Sequence, residues 1–152
     1  VTLDLAQISD AIQSHALTSG HVERATGHEP KNAPGNGLSV AVWVQNVKPV
    51  AERAGLAATS VRVELHVRLL MPMLHEPQDE IDPTLIGAAD ALMRAYSGDF
   101  TLGDTVANID LLGAHGTPMQ GEAGYLNQDG KIFRAFVITL PVIVNDLWSQ
   151  EA

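Results

Sequence analysis

The stretch from Ser60 to Met71 limits the possible folds more than any other part of the chain. Val61, Val63, Leu65, Val67 and Leu69 alternate with Arg62, Glu64, His66 and Arg68. A strict period of two predicts a strand over 60–71, with one apolar face buried and a polar face turned to solvent. A helix would scatter these aliphatic side chains around its circumference. Such a strand needs sheet neighbours and a layer to cover its apolar face.

The remaining periodicity supplies both. Leu38, Val40, Val42 and Val44 alternate over 38–47, with Trp43 on the opposite face. Pro49 predicts an end to that strand, with an irregular connection over 50–58. Ala107, Ile109 and Leu111 predict a strand at 105–112. Asn127 to Gly130 reads as a hairpin turn between short Tyr125-Leu126 and a long strand at 131–144. Pro141 is expected to interrupt that strand or hold it at an edge, because proline has no amide hydrogen for the ladder. Leu5, Ile8, Ile12 and Ala16 recur at helical spacing over 3–19, with Gly20 as a stop. Asp82-Pro83 is read as the cap and first residue of a second helix whose buried stripe is Leu85, Ala89, Leu92 and Tyr96. Gly98 falls where a left-handed cap would end it. Loops are expected at about 20–37 and 113–124. Residues 25–37 hold two prolines and three glycines and predict no regular structure there.

Helix, two strands, helix, then two or three strands is not a βαβ alternation. The expected fold is α+β: one domain over 1–152, with a mostly antiparallel four- to five-stranded sheet and two main helices packed on it.

Composition removes whole classes of function. Cysteine is absent, which excludes disulfides, thiolate metal sites and cysteine nucleophiles. No apolar run approaches the roughly 20 residues that span a bilayer. Val1 to Leu5 has neither a basic nor an apolar leader region, so no signal peptide is expected. Residues 1–75 carry six acidic and six basic side chains, and residues 76–152 carry twelve and three, so the net charge of −9 lies in the second half. Tight DNA binding needs clustered Lys and Arg and is disfavoured.

Catalytic patterns do not emerge. The six histidines form no His-x-x-x-His pair. His21, Glu23 and His28 are near one another in sequence, but a metal site needs preorganised, hydrogen-bonded ligands. The acidic run Glu76, Asp79, Glu80 and Asp82 lacks a calcium-loop pattern and is read as helix capping. No serine sits in a Gly-x-Ser-x-Gly elbow, and no phosphate-cradling glycine loop exists. No cofactor and no enzymatic activity are expected. Composition and spacing alone stop at an α+β domain with interaction loops.

Several segments carry a further resemblance. They are the stretch from Ile81 to Gly103, Asn108-Ile-Asp-Leu-Leu-Gly-Ala-His-Gly116, Gly124-Tyr-Leu-Asn-Gln-Asp-Gly130 and Leu140-Pro-Val-Ile-Val-Asn-Asp-Leu-Trp148. Upstream, Ala41-Val-Trp-Val44 and Thr59-Ser-Val-Arg-Val-Glu64 continue the series. In this order the segments, over roughly 38–148, resemble tail terminator proteins of long-tailed siphovirus-type bacteriophages of actinobacteria. Two positions depart from that pattern: Asp104 stands where glycine is expected, and His115 where an aromatic is expected.

The resemblance implies a structural virion protein made in the host cytoplasm. It implies a ring, usually a hexamer, that caps the head-proximal end of the tail tube and stops its polymerisation. Its partners would be further copies of itself, the tail tube protein and the head-tail connector, with DNA passing through unbound and no membrane involved. Another neck or head-completion ring of the same virion is the alternative, and an enzyme with a cryptic site is a third.

Candidate contacts with subunits or partners are His28, Glu29, Lys31, Asn32 and Asn36 in the first loop and His115, Met119 and Gln120 in the second. Loops on a rigid scaffold often carry function, and simple surface connection is the other reading. Trp43 and Trp148 are either interface anchors or packing residues. Asp99, Asp104 and Asp110 are candidates for an acidic lumen that repels phosphate. The Arg62, Glu64, His66 and Arg68 face is expected to be solvated or to pair with a neighbour.

Overall fold

The structure is a computed structural model that describes residues 3–22, 24–27, 38–54, 58–73, 78–128 and 130–149. Helix α1 spans Leu5–Thr18, strand β1 Arg24–Thr26, β2 Ser39–Ala54 and β3 Ala58–Pro72. A 3-10 turn at Gln78–Glu80 leads into helix α2, Ile81–Gly98. Strands β4 (Asn108–Ile109), β5 (Gln120–Gln128) and β6 (Lys131–Ser149) complete the order.

Among the described residues six strands form one mixed sheet in the order β1-β2-β3-β6-β4, with β5 also on β6. Only β1 and β2 run parallel, and the other pairings are antiparallel. The sheet thus has one more strand than expected, and the parallel pair is the departure from an antiparallel reading. Ala25 and Thr26, expected in a loop, belong to β1.

Both helices cover one face. The expected alternation places Val61, Val63, Leu65, Val67 and Leu69 in the core beneath them, each 0% exposed. Val40 and Val42 of β2 and Ile138, Leu140 and Val142 of β6 extend that core on either side. Helix α1 contributes Ile8, Ile12 and Ala16, and α2 contributes Leu85, Ala89, Leu92 and Tyr96, as their spacing predicts. Burying one such leucine is worth about 1.5–3 kcal/mol. Asp4 caps α1 by accepting from the Gln7 amide at 3.1 Å.

Four local expectations fail for identifiable reasons. Strand β2 continues through Pro49 to Ala54. Beyond Ala41, β2 has no outer neighbour among the described residues, and an edge strand tolerates proline. Strand β6 likewise runs through Pro141. Its neighbour on one side changes there from β5, which starts opposite Thr139, to β4, which ends opposite Val142. The Pro141 carbonyl still accepts from the Asp110 amide at 2.9 Å. The strand expected at 105–112 shrinks to Asn108–Ile109, because the chain leaves the sheet at Asp110. Asp82 does not cap α2. The helix begins at Ile81, and the Asp82 carboxylate pairs with Arg134 at 2.8 Å.

Gly98 is the last helical residue rather than a left-handed cap. The left-handed turn follows, at Leu102, Gly103 and Asp104, with φ of 48°, 66° and 64°. Asp104 therefore occupies a conformation that favours glycine, which aspartate tolerates better than most residues. Its amide donates to Thr101 Oγ1, whose hydroxyl in turn bonds its carboxylate.

Candidate interaction surface

The second face of the sheet, away from the helices, departs most from expectation. Arg62, Glu64 and Arg68 are buried, at 2%, 8% and 7% exposure. They are neither solvated nor free to meet a neighbour.

Burying a guanidinium requires that its donors be met. Nε of Arg62 donates to Asp110 Oδ2 at 3.0 Å, Nη1 to Glu64 Oε2 at 2.9 Å, and Nη2 to the Thr117 carbonyl. Asn46 adds a bond to Glu64 Oε2 at 3.2 Å. The planar fork of arginine suits three acceptors held in different directions.

These bonds pin the segment from Asp110 to Met119 over the end of the sheet. The Asp110 carboxylate also accepts from the amides of Ala114 at 2.8 Å and His115 at 3.0 Å. Met119 donates its amide to Leu111 at 3.0 Å, closing the base of the loop. Gly113 adopts φ of 74°, which glycine takes without strain. A methyl group at Gly116 would lie 2.8 Å from Cζ of Arg62, so only glycine fits against the guanidinium. Burial raises the Asp110 carboxyl. The His115 amide, the Arg62 guanidinium and the Ala114 amide outweigh it and hold the group below the usual carboxylate range.

Farther along this face, β-ladder register aligns Trp43, His66, Thr139 and Gln120 in one row. Trp43 is half-buried, with the His66 ring edge-on at 5.9 Å and Cζ of Arg68 5.0 Å above it. A cation over an indole face is attracted by its quadrupole. Leu70, Phe133 and Ala135 form a second, small apolar cluster with Leu126 against it.

The structure brings some of the expected residues together and separates others. His28, Glu29, Lys31, Asn32 and Asn36 lie outside the described residues. His115 and Met119 are half-buried parts of the pinned loop, and Met119 packs on the core. Gln120 opens β5, so the expected loop ends there rather than at 124. Trp148 is 43% exposed opposite Thr59, near the end of β6.

The three aspartates are not equivalent. Asp110 is 4% exposed and engaged by Arg62, so its charge faces no solvent. Asp99 joins the helices through His15 Nε2 at 2.8 Å, and its carboxyl is lowered by the Gly103 amide and by His15. Asp104 is exposed.

Sequence reasoning missed Arg62 and Glu64 as buried partners, and it missed Leu112. That side chain is 88% exposed on the pinned loop, one residue beyond its base at Leu111. No group of three His, Asp or Glu that could hold a metal ion occurs among the described residues. None of their helices is long and apolar enough to cross a membrane.

No family model matches this chain. No curated protein matches it either. Among solved structures the chain is similar to the sheath/tube terminator of PVC, an extracellular contractile injection system, in its extended state. The TM-score is 0.46 and the sequence identity 9%. The match covers 100% of this chain and 60% of that chain, so this chain spans 60% of its length.

Proposed function

We propose that this chain is a tail terminator: a structural subunit that assembles as a closed ring, usually six copies, on the head-proximal end of a phage tail tube. The ring stops tube growth, receives the head connector and lets DNA pass. The single observation that carries the reading is where the resembling segments lie. Ile81 to Gly103 is helix α2 with its left-handed turn. Asn108 to Gly116 holds β4, the Arg62 ligand Asp110 and the two glycines that the pinned loop requires. Gly124 to Gly130 leads into the β5–β6 hairpin, and Leu140 to Trp148 is the end of β6. The matching segments are thus neighbours around β6, and their unusual residues have structural work to do.

The acidic half of the chain suits a pore that must not grip DNA. In this reading Asp104, with Asp99 beside it, faces the lumen and repels phosphate, while Asp110 supports the loop from beneath. A lysine at Asp104 would then slow DNA passage and cut infectivity, and full infectivity would remove the lumen assignment. The ring reading is tested by omitting the chain during assembly. Headless tubes of uncontrolled length are the expected product. Normal tubes with unfilled, detached heads would point to a neck protein instead.

A further inference from the structure

We propose that Leu112 is the projecting half of a contact between successive copies, seating in the groove between α1 and β2 of the next. The inference rests on the ring reading and names the contact that would build it.

Among the described residues Leu112 is the most exposed large hydrophobic side chain, at 88%. It does not sit on a free loop. Asp110 beside it is tied to Arg62 and to two amides of the same loop. Gly113 donates to the Asp110 carbonyl at 3.2 Å, and neighbouring Leu111 packs on the core. A knob held this firmly loses little conformational freedom on binding.

A complementary site exists on the same chain. A half-open groove of about 230 Å3 is lined by Leu5, Ser9, Val42, Trp43, Val44 and Leu65. Its walls are α1 and the part of β2 beyond Ala41, where β2 has no outer neighbour among the described residues. The knob emerges beside β6, between β4 and β5, whereas the groove lies at the β2 side of the sheet order. A head-to-tail ring joins two unlike surfaces of one subunit in this way.

Charge selects the same pairing. Residues 1–75 sum to zero and residues 76–152 to −9. Because β3 and β6 are neighbours in mid-sheet, this division follows the sheet: a neutral half with β1 to β3, an acidic half with β4 to β6. From Asp99 to Gln128 there is no Lys or Arg, and three carboxylates, Asp99, Asp104 and Glu122, stand beside the buried Asp110 that Arg62 neutralises. Arg24 and Lys48 are exposed on β1 and β2, with Asp4 and Asp10 on α1 across the groove. Two acidic halves repel, while an acidic half meets a half whose exposed Arg24 and Lys48 balance Asp4 and Asp10, without that net repulsion. The second copy therefore presents its knob to the groove rather than to another knob.

The chain has no cysteine, which makes the test direct. Leu112→Cys and Ser9→Cys, mixed as single variants with purified tubes and oxidised, should give a covalent heterodimer. Both in one chain should give a ladder ending at the closed ring. Leu112→Asp should weaken association at least about tenfold, the effect of withdrawing one buried leucine, with an unchanged melting temperature. If rings form but resist Leu112→Asp and do not cross-link, the contact is overturned and the ring reading stands. If Leu112→Asp rings form normally but no longer bind the tube, the occupant is the tube protein, which also overturns it. If the wild-type chain forms no ring alone or on tubes, both readings fall.

Discussion

Replacing Asp110 with alanine should be among the most destructive single changes on the second face. Arg62 and Asp110 are 2% and 4% exposed, and the pair meets at 3.0 Å. Removing one partner of a buried ion pair costs about 3–5 kcal/mol, because the other charge stays buried. Two features move the value within that range. Glu64 and the Thr117 carbonyl still hold the guanidinium, which lowers the cost. The amides of Ala114 and His115 lose their acceptor, which raises it. We expect about 3–4 kcal/mol in urea unfolding, within that range, and roughly a 10 °C fall in melting temperature for a chain of this size. Hydrogen exchange at Ala114, His115 and Met119 should accelerate while the amides of β3 stay protected. Asp110→Asn keeps an acceptor and should cost less. A loss below about 1 kcal/mol for the alanine variant, the worth of one ordinary hydrogen bond, with loop amides still protected, would refute the claim that this pair holds the loop.

Other predictions follow from single groups. The Tyr96 hydroxyl is fully buried and has no hydrogen-bond partner among the described residues, and burial pushes its ionisation far upward; Tyr96→Phe should therefore be neutral or stabilise by up to about 1 kcal/mol in urea unfolding. Asp99 has a depressed carboxyl, so its stabilisation is present above the ordinary carboxylate range and lost as pH falls through the lowered value. Acid unfolding of Asp99→Asn should lack that part of the pH dependence seen in the wild type. Gly116→Ala forces a methyl onto a guanidinium fixed by three acceptors and should cost about 1–3 kcal/mol by thermal unfolding. Asp104→Gly relieves a left-handed φ but loses the Thr101 bond, and its melting temperature should stay close to the wild type.

Periodicity made the core face legible, because burial there depends on local alternation alone. Val61 to Leu69, the α1 stripe and the α2 stripe all fall where spacing puts them. The second face was not legible, because the burial of Arg62 depends on Asp110, a long way along the chain. A charged strand face and a glycine-rich loop look like solvent-exposed features until they are placed together. Pro49 and Pro141 mislead for a related reason: Pro49 reads as a strand end and Pro141 as an interruption or an edge, yet Pro49 sits on an edge strand that continues and Pro141 sits where β6 changes neighbours. The glycines at 113 and 116 were visible as a loop signal, but their purpose, closure over a guanidinium, was not. Leu112 follows another leucine, and no local pattern says which of the two points outward.

Electron microscopy of the intact particle at side-chain resolution tests the central claim most directly. The account predicts one ring of this chain between the last tube ring and the connector, with Asp104 toward the lumen and Leu112 against α1 and β2 of the adjacent copy. A ring of this chain against the portal, or a particle without the chain, would contradict it.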